Sequence, residues 1–312
     1  MLSSTVREGA GKRALITGMA GFTGRYMAQE LTDAGYRVYG TAMASEAGPG
    51  GAPVDTFAVN LCDRAAVAAM IEQVQPDVVV HLAGIAFVAN ANIDLMYQVN
   101  VLGTRNLLTA LAACPHRPSA VLLASSANIY GNADVDVIDE SVAPAPANDY
   151  AVSKLAMEYM ARLWMDRLPI ILARPFNYTG VGQTDNFLLP KIVSHFRRGA
   201  REIELGNLAI ARDFSDVRAV VRSYRGLVAA APDASWANPA FNVCSGQSTS
   251  LQSVISMMEG IAGYRIAVKV NPAFVRSNDV LTLTGSRAKL EQAIGPVDQV
   301  PLIDTLRWMY QA

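Results

Sequence analysis

The sequence predicts an α/β protein, with a doubly wound parallel sheet followed by a smaller C-terminal α/β lobe. Short β-branched runs alternate with longer stretches of helical period from Arg13 to about Ala173, which is typical of βαβ units. A glycine-rich turn between the first apolar run and the first helical stretch favours the same fold class. After Arg174 the sequence changes to loops rich in Pro, Asn and Gly, which indicates a second lobe.

The elements of the first half follow in order along the chain. Strands are predicted at Ala14–Thr17, Arg37–Thr41, Asp77–Ala83, Ala120–Ser125 and Ile170–Arg174. Helices are predicted between them at Gly24–Ala34, Arg64–Gln73, Leu95–Ala113 and Tyr150–Leu168. Gly35 and Pro76 follow the first two helices, where a left-handed cap and a helix stop are expected.

Charge and cysteine usage exclude several classes of protein. With 26 Lys and Arg against 27 Asp and Glu, the formal net charge is −1, so no nucleic-acid partner is expected. Cys62, Cys114 and Cys244 have neither metal-ligand nor disulfide spacing, so we expect no metal and a cytoplasmic location. Every apolar run is shorter than the ~18 residues that span a bilayer, so no membrane partner is expected.

The glycine-rich turn has the pattern of a phosphate-binding loop. The first strand runs directly into TGMAGFTG, where Gly18, Gly21 and Gly24 recur every three residues at the start of a helix. Such glycines permit a tight turn and a close approach of a pyrophosphate, which the helix N-terminus then faces. We therefore expect a Rossmann-like dinucleotide site, with Ala20, Phe22 and Thr23 also contacting the cofactor.

The end of the second strand bears on the choice of dinucleotide. It reads TAMAS, without the acid that usually binds the ribose 2′-hydroxyl of NAD. A 2′-phosphate would depend on Thr41, Ser45, Arg25 or Arg37. Because nothing there repels a phosphate, the sequence slightly favours NADPH, and NAD stays open.

Two further motifs indicate acid–base chemistry. DYAVSK places Tyr150 and Lys154 four residues apart on one helix face, where the ammonium lowers the phenol's pKa from about 10 towards neutrality. Tyr150 then suits proton transfer, and Lys154 would also hold the nicotinamide ribose. The fourth strand ends in ASSANIYG, which brings Ser125 and Ser126 to the carboxyl edge of the sheet, where ligands bind. Ser126 could orient a substrate carbonyl.

The order TGMAGFTG, HLAG, SSANIYG and YAVSK resembles the extended short-chain dehydrogenase/reductase family of nucleotide-sugar enzymes over nearly the whole chain. The resemblance implies that Ser126, Tyr150 and Lys154 are catalytic and that Asn100 steadies the active-site helix. His81 is expected to be a hydrogen-bonded strand residue. Further cofactor contacts are implied for Asn60, Leu61, Leu82, Ala83, Gly84 and Pro175, besides Tyr150 and Lys154.

The second half is similar to GDP-4-keto-6-deoxy-D-mannose reductases in ARPFNYTGVGQ, ARDFSDV, FNVCSGQ and TGSRAKL. This similarity implies a nucleotide-diphosphate sugar as substrate, with Asn177 and Gln183 near it and Ser125 beside them. Its phosphates or base would be bound by basic side chains, for which the candidates are Lys191, Arg212 and Arg276. For Arg212 the alternative is a surface ion pair with Asp213 or Asp216, and for Lys191 an ordinary surface position.

The expected reaction is NAD(P)H-dependent reduction of the 4-keto group of a nucleotide-linked 4-keto-6-deoxy sugar, with GDP-D-rhamnose or a close analogue as product. Ala127 and Asn128 stand where dehydratases of the family carry an acidic residue, so a proton donor for elimination is missing. A 4-epimerase and a non-catalytic nucleotide-binding protein stay open as alternatives.

The resemblance also has consequences for organisation. We expect a flexible tail at 1–12, a dinucleotide-binding domain at 13–174 with a contribution from 209–245, and a substrate-binding lobe at 175–208 and 246–312. The family pairs its two long helices across a homodimer, and a homodimer is expected here.

Overall fold

The computed structural model describes residues 7–43, 55–86, 92–208, 210–272 and 282–312. The chain forms two compact units. Unit 1 comprises Met1–Ile129, Pro146–Arg174 and Val221–Phe241, and unit 2 comprises Tyr130–Ala145, Pro175–Val220 and Asn242–Ala312. The second-half segment of unit 1, Val221–Phe241, is thus shorter than the 209–245 expected from sequence. Unit 2 includes Tyr130–Ala145 from the first half of the chain.

A seven-stranded sheet organises the first unit. Its strands are β1 Arg13–Thr17, β2 Arg37–Ala42, β3 Asp55–Ala58, β4 Val78–His81, β5 Ala120–Ala124, β6 Ile170–Pro175 and β10 Ala240–Val243. Their order is β10-β6-β5-β4-β1-β2-β3, and the pairs from β6 to β3 are parallel. The chain leaves β1 towards β2 and later crosses to β4 on the other side, so the order reverses between β1 and β4. Ligands bind at such a switch point in doubly wound folds.

Helices cover the sheet, and their caps explain where they begin. They are α1 Phe22–Asp33, α2 Arg64–Val74, α3 Ile93–Tyr97, a π-helical turn Gln98–Gly103, α4 Thr104–Ala113, α5 Asp149–Arg162 and α7 Val217–Ala230. Asp63 accepts from Ala65 N and Ala66 N, and Asn148 accepts from Ala151 N. Each cap satisfies amides that have no carbonyl partner within the helix.

The core of unit 1 lies between the sheet and these helices. It contains apolar side chains of four neighbouring strands, Leu15, Val79, Val121 and Leu172, packed against helical residues such as Leu107 and Met157. The strand β4 is buried along its whole length, as expected for a central parallel strand. It ends at His81 instead of the predicted Ala83, and the last bond of its ladder with β1 runs from Leu82 N to the carbonyl oxygen of Thr17.

Unit 2 combines a small mixed sheet with three packed helices. Its elements are β7 Asn177–Thr179, α6 Leu188–Arg197, β8 Glu202–Leu205, β9 Ala211–Asp216, β11 Ser248–Ser250, α8 Leu251–Ala262, β12 Ala267–Val270, β13 Thr282–Leu283, α9 Ala288–Ile294 and α10 Leu302–Gln311. The strand β9 pairs with β7, β11 and β13, while β8 pairs with β12. Ile192, Phe196, Val254, Met258 and Leu306 join α6, α8 and α10 in the core. In the described ranges, no helix has the length and apolar character needed to cross a membrane.

Candidate functional site

The glycine loop lies at the switch point between β1 and β4. Gly18 has φ +71°, and a Cβ atom there would come within 2.8 Å of the Ala83 backbone. A Cβ atom on Gly24 would overlap the Gly18 carbonyl oxygen. The loop after β1 therefore packs backbone against backbone with the loop after β4, which only glycine allows at these two positions.

The first turn of α1 is open to an anion. Its N-cap, Gly21, has no side chain to cap the helix, and the first turn contains no acidic residue. Gly21 is exposed, and Ala20, Phe22 and Thr23 are half-buried around it. A helix N-terminus attracts negative charge, so these residues fit the pyrophosphate of a dinucleotide.

The second strand carries two of the residues expected at the cofactor ribose. Thr41 is buried, and its hydroxyl accepts a hydrogen bond from Gly18 N at 3.1 Å, so it holds the glycine loop. Arg37 lies at the amino end of β2 and pairs with Asp55 at 3.2 Å, on the edge of the sheet opposite the loop. Arg25 is exposed on α1, and Ser45 lies outside the described residues.

A chain of buried hydrogen bonds links β1, β4 and the π-helical turn. The Thr104 hydroxyl donates to Asn100 O at 2.7 Å, so it accepts from Nε2 of His81 at 2.8 Å. Nδ1 of His81 then accepts from the Thr17 hydroxyl at 2.6 Å, which assigns the Nε2–H tautomer from the network. Burial, followed by the charge of Lys154, lowers the pKa of His81 to about 3. His81 is therefore a neutral, hydrogen-bonded strand residue, as predicted.

Asn100 connects this network to the helix α5. Its Oδ1 accepts from Ile85 N at 2.8 Å, and its Nδ2 donates to Ile85 O at 3.1 Å and to Ser153 Oγ at 3.0 Å. The Ser153 hydroxyl donates in turn to Tyr150 O at 2.8 Å. Asn100 lies in the π-helical turn, and such turns often occur at functional sites. The side chain thus fixes both the loop after β4 and the first turn of α5.

Lys154 lies four residues after Tyr150 on α5. Its side chain is buried, its Nζ donates to Ala124 O at 2.8 Å, and Nζ lies 6.0 Å from the centroid of the Tyr150 ring. Burial lowers the pKa of Lys154 to about 8, while the carboxylate of Glu158 raises it. A Cβ atom on Gly84 would lie 3.2 Å from Lys154 Nζ, so the loop after β4 passes directly beside the ammonium.

The two serines after β5 differ in their hydrogen bonds. Ser126 begins the turn before Tyr130, and its Oγ accepts from Asn128 N at 3.2 Å. Ser125 is 3% exposed, and no partner among the described residues bonds its Oγ. A buried hydroxyl without a partner is costly unless a ligand satisfies it, so Ser125 fits a position facing a bound molecule.

Glu158 and Arg174 form an ion pair that the sequence motifs did not reveal. Glu158 Oε1 and Oε2 accept from Arg174 Nε at 2.9 Å and NH2 at 2.7 Å. Their side chains are 1% and 4% exposed. One signal in the sequence pointed to Glu158: it lies four residues after Lys154, and this spacing predicts that the two share a helix face.

The expected adenine and ribose contacts surround the same edge of the sheet. Asn60 is exposed after β3, and its Oδ1 accepts from Cys62 N at 3.0 Å. Leu61 is buried, and its carbonyl accepts from Asn106 Nδ2 at 2.9 Å. Leu82 and Ala83 are half-buried after β4, and Gly84 is exposed. Pro175 is the buried last residue of β6.

Several of the expected substrate residues of unit 2 form hydrogen bonds with other groups of the same unit. Gln183 accepts from the Thr179 hydroxyl at 2.7 Å and donates to Tyr178 O at 3.3 Å. Lys191 Nζ donates to Glu204 O at 3.1 Å, and Asn177 is exposed on β7. Arg212 is half-buried and donates to Ala211 O at 2.9 Å, and Arg276 lies outside the described residues. Substrate binding by these residues stays a prediction.

Asp213 joins three of the motifs noted in the second half. It is fully buried and accepts from Ser245 N at 2.8 Å, Ser245 Oγ at 2.6 Å, Gly246 N at 2.9 Å and Gly285 N at 3.3 Å. Burial raises the pKa of Asp213, and these hydrogen bonds oppose the rise. Asp216 pairs with Arg218 at 2.7 Å and accepts from Thr305. Asp213 and Asp216, the two carboxylates considered as ion-pair partners of Arg212, thus both have other hydrogen-bond partners in the fold.

Two curated relatives match most of the chain. GDP-6-deoxy-D-talose 4-dehydrogenase of Aggregatibacter actinomycetemcomitans is 32% identical over 286 residues, 91% of this chain and 91% of the relative. GDP-6-deoxy-D-mannose reductase of Pseudomonas aeruginosa PAO1 is 34% identical over 243 residues, 74% of this chain and 78% of the relative. The recognised similarity to GDP-sugar reductases is therefore confirmed.

Solved structures confirm the predicted fold class. A Burkholderia cenocepacia J2315 protein, described only provisionally as an epimerase, is 54% identical with TM-score 0.90, covering 97% of this chain and 98% of its own. The structure of RMD from Pseudomonas aeruginosa complexed with NADPH is 29% identical with TM-score 0.79, covering 96% of each chain. Residues 14–244 match the model of the NAD dependent epimerase/dehydratase family. The chain is a member of this family of enzymes, the extended short-chain dehydrogenases/reductases.

Proposed function

We propose that the protein reduces the 4-keto group of a nucleotide-linked 4-keto-6-deoxy sugar with NAD(P)H. The substrate would be GDP-4-keto-6-deoxy-D-mannose or a close analogue, with GDP-D-rhamnose as the first candidate product. One observation carries the proposal: Lys154, 6.0 Å from the Tyr150 ring, shares the sheet edge with Ser126 and with Ser125, whose hydroxyl has no partner in the part of the chain that the structure describes. The two GDP-6-deoxysugar relatives supply the substrate class.

The glycine loop and the residues around it would hold the dinucleotide. The amides of α1 would face the pyrophosphate, Asn60 and Leu61 would flank the adenine, and Leu82, Ala83 and Gly84 would follow the phosphates and ribose. When bound, the reduced dinucleotide supplies the hydride. The described end of β2 carries no carboxylate, and the Pseudomonas structure contains NADPH, so NADPH is the favoured form over NADH.

The remaining chemistry belongs to three side chains. The Ser126 hydroxyl would donate to the keto oxygen and orient the carbonyl. Tyr150 would transfer its phenolic proton to that oxygen as the alcohol forms. The Lys154 ammonium would stabilise the resulting phenolate and hold the ribose. The turn after β5 carries Ala127 and Asn128, which supply no carboxyl group for eliminating water.

A 4-epimerase is the second candidate, because the matched model is that of an epimerase/dehydratase family and the Burkholderia relative is described as an epimerase. An epimerase returns its hydride to the sugar and shows no net change in nicotinamide absorbance. Incubation with NADPH and a panel of GDP- and dTDP-linked 4-keto-6-deoxy sugars tests the proposal. Oxidation of one NADPH per alcohol formed is expected. Interconversion of 4-epimers at constant absorbance would favour the epimerase, and no turnover of any sugar would favour a non-catalytic protein.

We also propose that two copies pair through α3, α4 and α5. Several large apolar side chains are exposed on α3, on the π-helical turn that joins α3 to α4, and on α5 with its C-cap, although burial is the norm for such residues. They are Leu95, Leu102, Val152, Tyr159 and Leu163. A second copy presenting the same helices would cover them in a four-helix arrangement.

A further inference from the structure

The face of α5 that carries Tyr150 and Lys154 continues to a third ionisable residue. Tyr150, Lys154 and Glu158 are spaced by four, so they share one face, and each step is about 6 Å of helix rise. Both Glu158 oxygens are bound by Arg174 at the end of β6. Replacing a buried pair of this kind by apolar residues is often neutral or stabilising, so stability alone does not explain it.

Of the described groups around Lys154, Glu158 is the one whose charge raises the pKa of Lys154. Glu158 lies one turn away on the same helix, whereas Arg174 comes from the neighbouring strand and contacts the carboxylate. His81 faces Lys154 from β4 and is neutral, and the Tyr150 phenol lies one turn before Lys154 on α5. Ala124 O contributes only a dipole. Among the described residues, burial lowers the pKa of Lys154 and Glu158 is the carboxylate that opposes this.

We propose that Glu158 is a positioning residue that keeps Lys154 protonated beside Tyr150, and that Arg174 fixes the carboxylate while moderating its field. The kinetic consequence rests on the proposed reductase function. If the proton on Lys154 is lost, the phenolate that forms during reduction loses its stabilising cation. The rate of reduction should then fall along the alkaline limb of its pH profile, and the position of that limb reports the charge state of Lys154.

Two substitutions of the same ion pair give opposite expectations. Glu158→Gln removes the anion, so the alkaline limb should move to lower pH by about one unit. Arg174→Gln removes the cation and leaves the carboxylate, so the limb should move to higher pH. A merely structural ion pair predicts lower activity in both variants with the limb unmoved. Asp304→Asn, which breaks the exposed pair with Arg307 on α10, is the control and should leave the profile unchanged.

A measurement without turnover separates this proposal from the reductase function. The sequence holds five lysines, so a protein labelled with 13C at lysine Cε gives few signals, and Lys154→Arg identifies the signal of Lys154. That signal should titrate at lower pH in Glu158→Gln than in the unmodified protein. If no sugar is reduced but the Lys154 signal shifts as stated, the proposed reductase function is contradicted and the proposed role of Glu158 is retained.

Variants that leave one charge buried can fail to fold, so the pair is also replaced as a whole. Glu158→Leu with Arg174→Leu removes both charges and retains apolar volume. Its Lys154 signal should titrate at lower pH than that of the unmodified protein, because the carboxylate is the member of the pair whose charge raises the pKa of Lys154. Coincident titrations of the double variant and the unmodified protein would overturn the proposal, as would shifts of both single variants in the same direction.

Discussion

In the proposed mechanism the Tyr150 hydroxyl donates the proton, and its removal is the most direct test at the scale of a residue. Tyr150→Phe retains the ring beside Lys154 but removes the proton donor. Turnover should fall by roughly 10²- to 10⁴-fold, as expected for the loss of a general acid. NADPH affinity, measured by fluorescence titration, should change little. Near-normal turnover would remove Tyr150 from the mechanism.

Ser125 and Ser153 allow the same chemical change to be compared at two buried hydroxyls. Ser125 Oγ has no partner among the described residues, whereas Ser153 Oγ accepts from Asn100 and donates to Tyr150 O. Ser125→Ala should leave the free energy of unfolding of the apoprotein unchanged or higher, and should weaken binding of NADPH or the sugar nucleotide. Ser153→Ala should lower the free energy of unfolding by about 1–3 kcal/mol.

Urea unfolding of the apoprotein and ligand titrations check both variants. Equal losses of stability in the two would contradict the assignment of Ser125 to a ligand-facing position. The comparison needs no knowledge of the sugar, because the NADPH titration alone already reports on the pocket.

At the scale of elements, His81 couples the stability of β1, β4 and the π-helical turn to pH. Burial lowers its pKa from 6.5 to about 3, so between these values the unfolded chain binds a proton here and the folded protein does not. Stability should therefore fall as pH drops through 6.5, by up to about 1.4 kcal/mol per pH unit. His81→Gln can still bond both threonines but cannot take up this proton.

Denaturant unfolding at several pH values between about 4 and 7 checks the prediction, because this range includes the ordinary histidine pKa of about 6.5. The slope of stability against pH should be smaller in His81→Gln than in the unmodified protein. Identical slopes would mean that another group accounts for the acid sensitivity of this region.

Sequence patterns predicted the central elements well because those elements have strong local signals. The runs that became β1, β4 and β5 are continuous and apolar, and the glycine loop has a fixed spacing between strand and helix. The strand β3 was missed because its residues are mostly exposed at the sheet edge and show no apolar alternation. The helix predicted to reach Leu168 ends at Arg162, since turns replace its last residues.

Contacts between distant residues were the part that spacing could not predict. Thr41 has the residue type expected of a ribose contact, yet its hydroxyl bonds Gly18 N across two neighbouring strands. The pairing of Glu158 with Arg174 depends in the same way on the packing of α5 against β6. Tyr150, Lys154 and Asn100 could be placed from sequence because family motifs mark them.

For the whole molecule, the exposed apolar residues of α3, the π-helical turn and α5 predict a homodimer. Leu163 is 75% exposed at the end of α5, and Leu163→Glu would place a charge inside the proposed four-helix contact. The unmodified protein should have the mass of two chains by light scattering, and the variant should shift towards one chain. Val137→Glu, at an exposed apolar position of unit 2, is the matched control and should leave the mass unchanged. A monomeric unmodified protein would contradict the proposal.

The carboxylate of Asp213 has a practical consequence for protein engineering. Asp213 in one stretch accepts from Ser245 and Gly246 in a second and from Gly285 in a third, and the three are far apart along the chain. A transplant of one stretch that changes Asp213 or the conformation of its donors would leave an amide or hydroxyl of the host without its partner, at a cost of about 1–3 kcal/mol for each orphaned group. Chimeras intended to accept a new sugar should therefore exchange 211–216, 243–247 and 284–287 together.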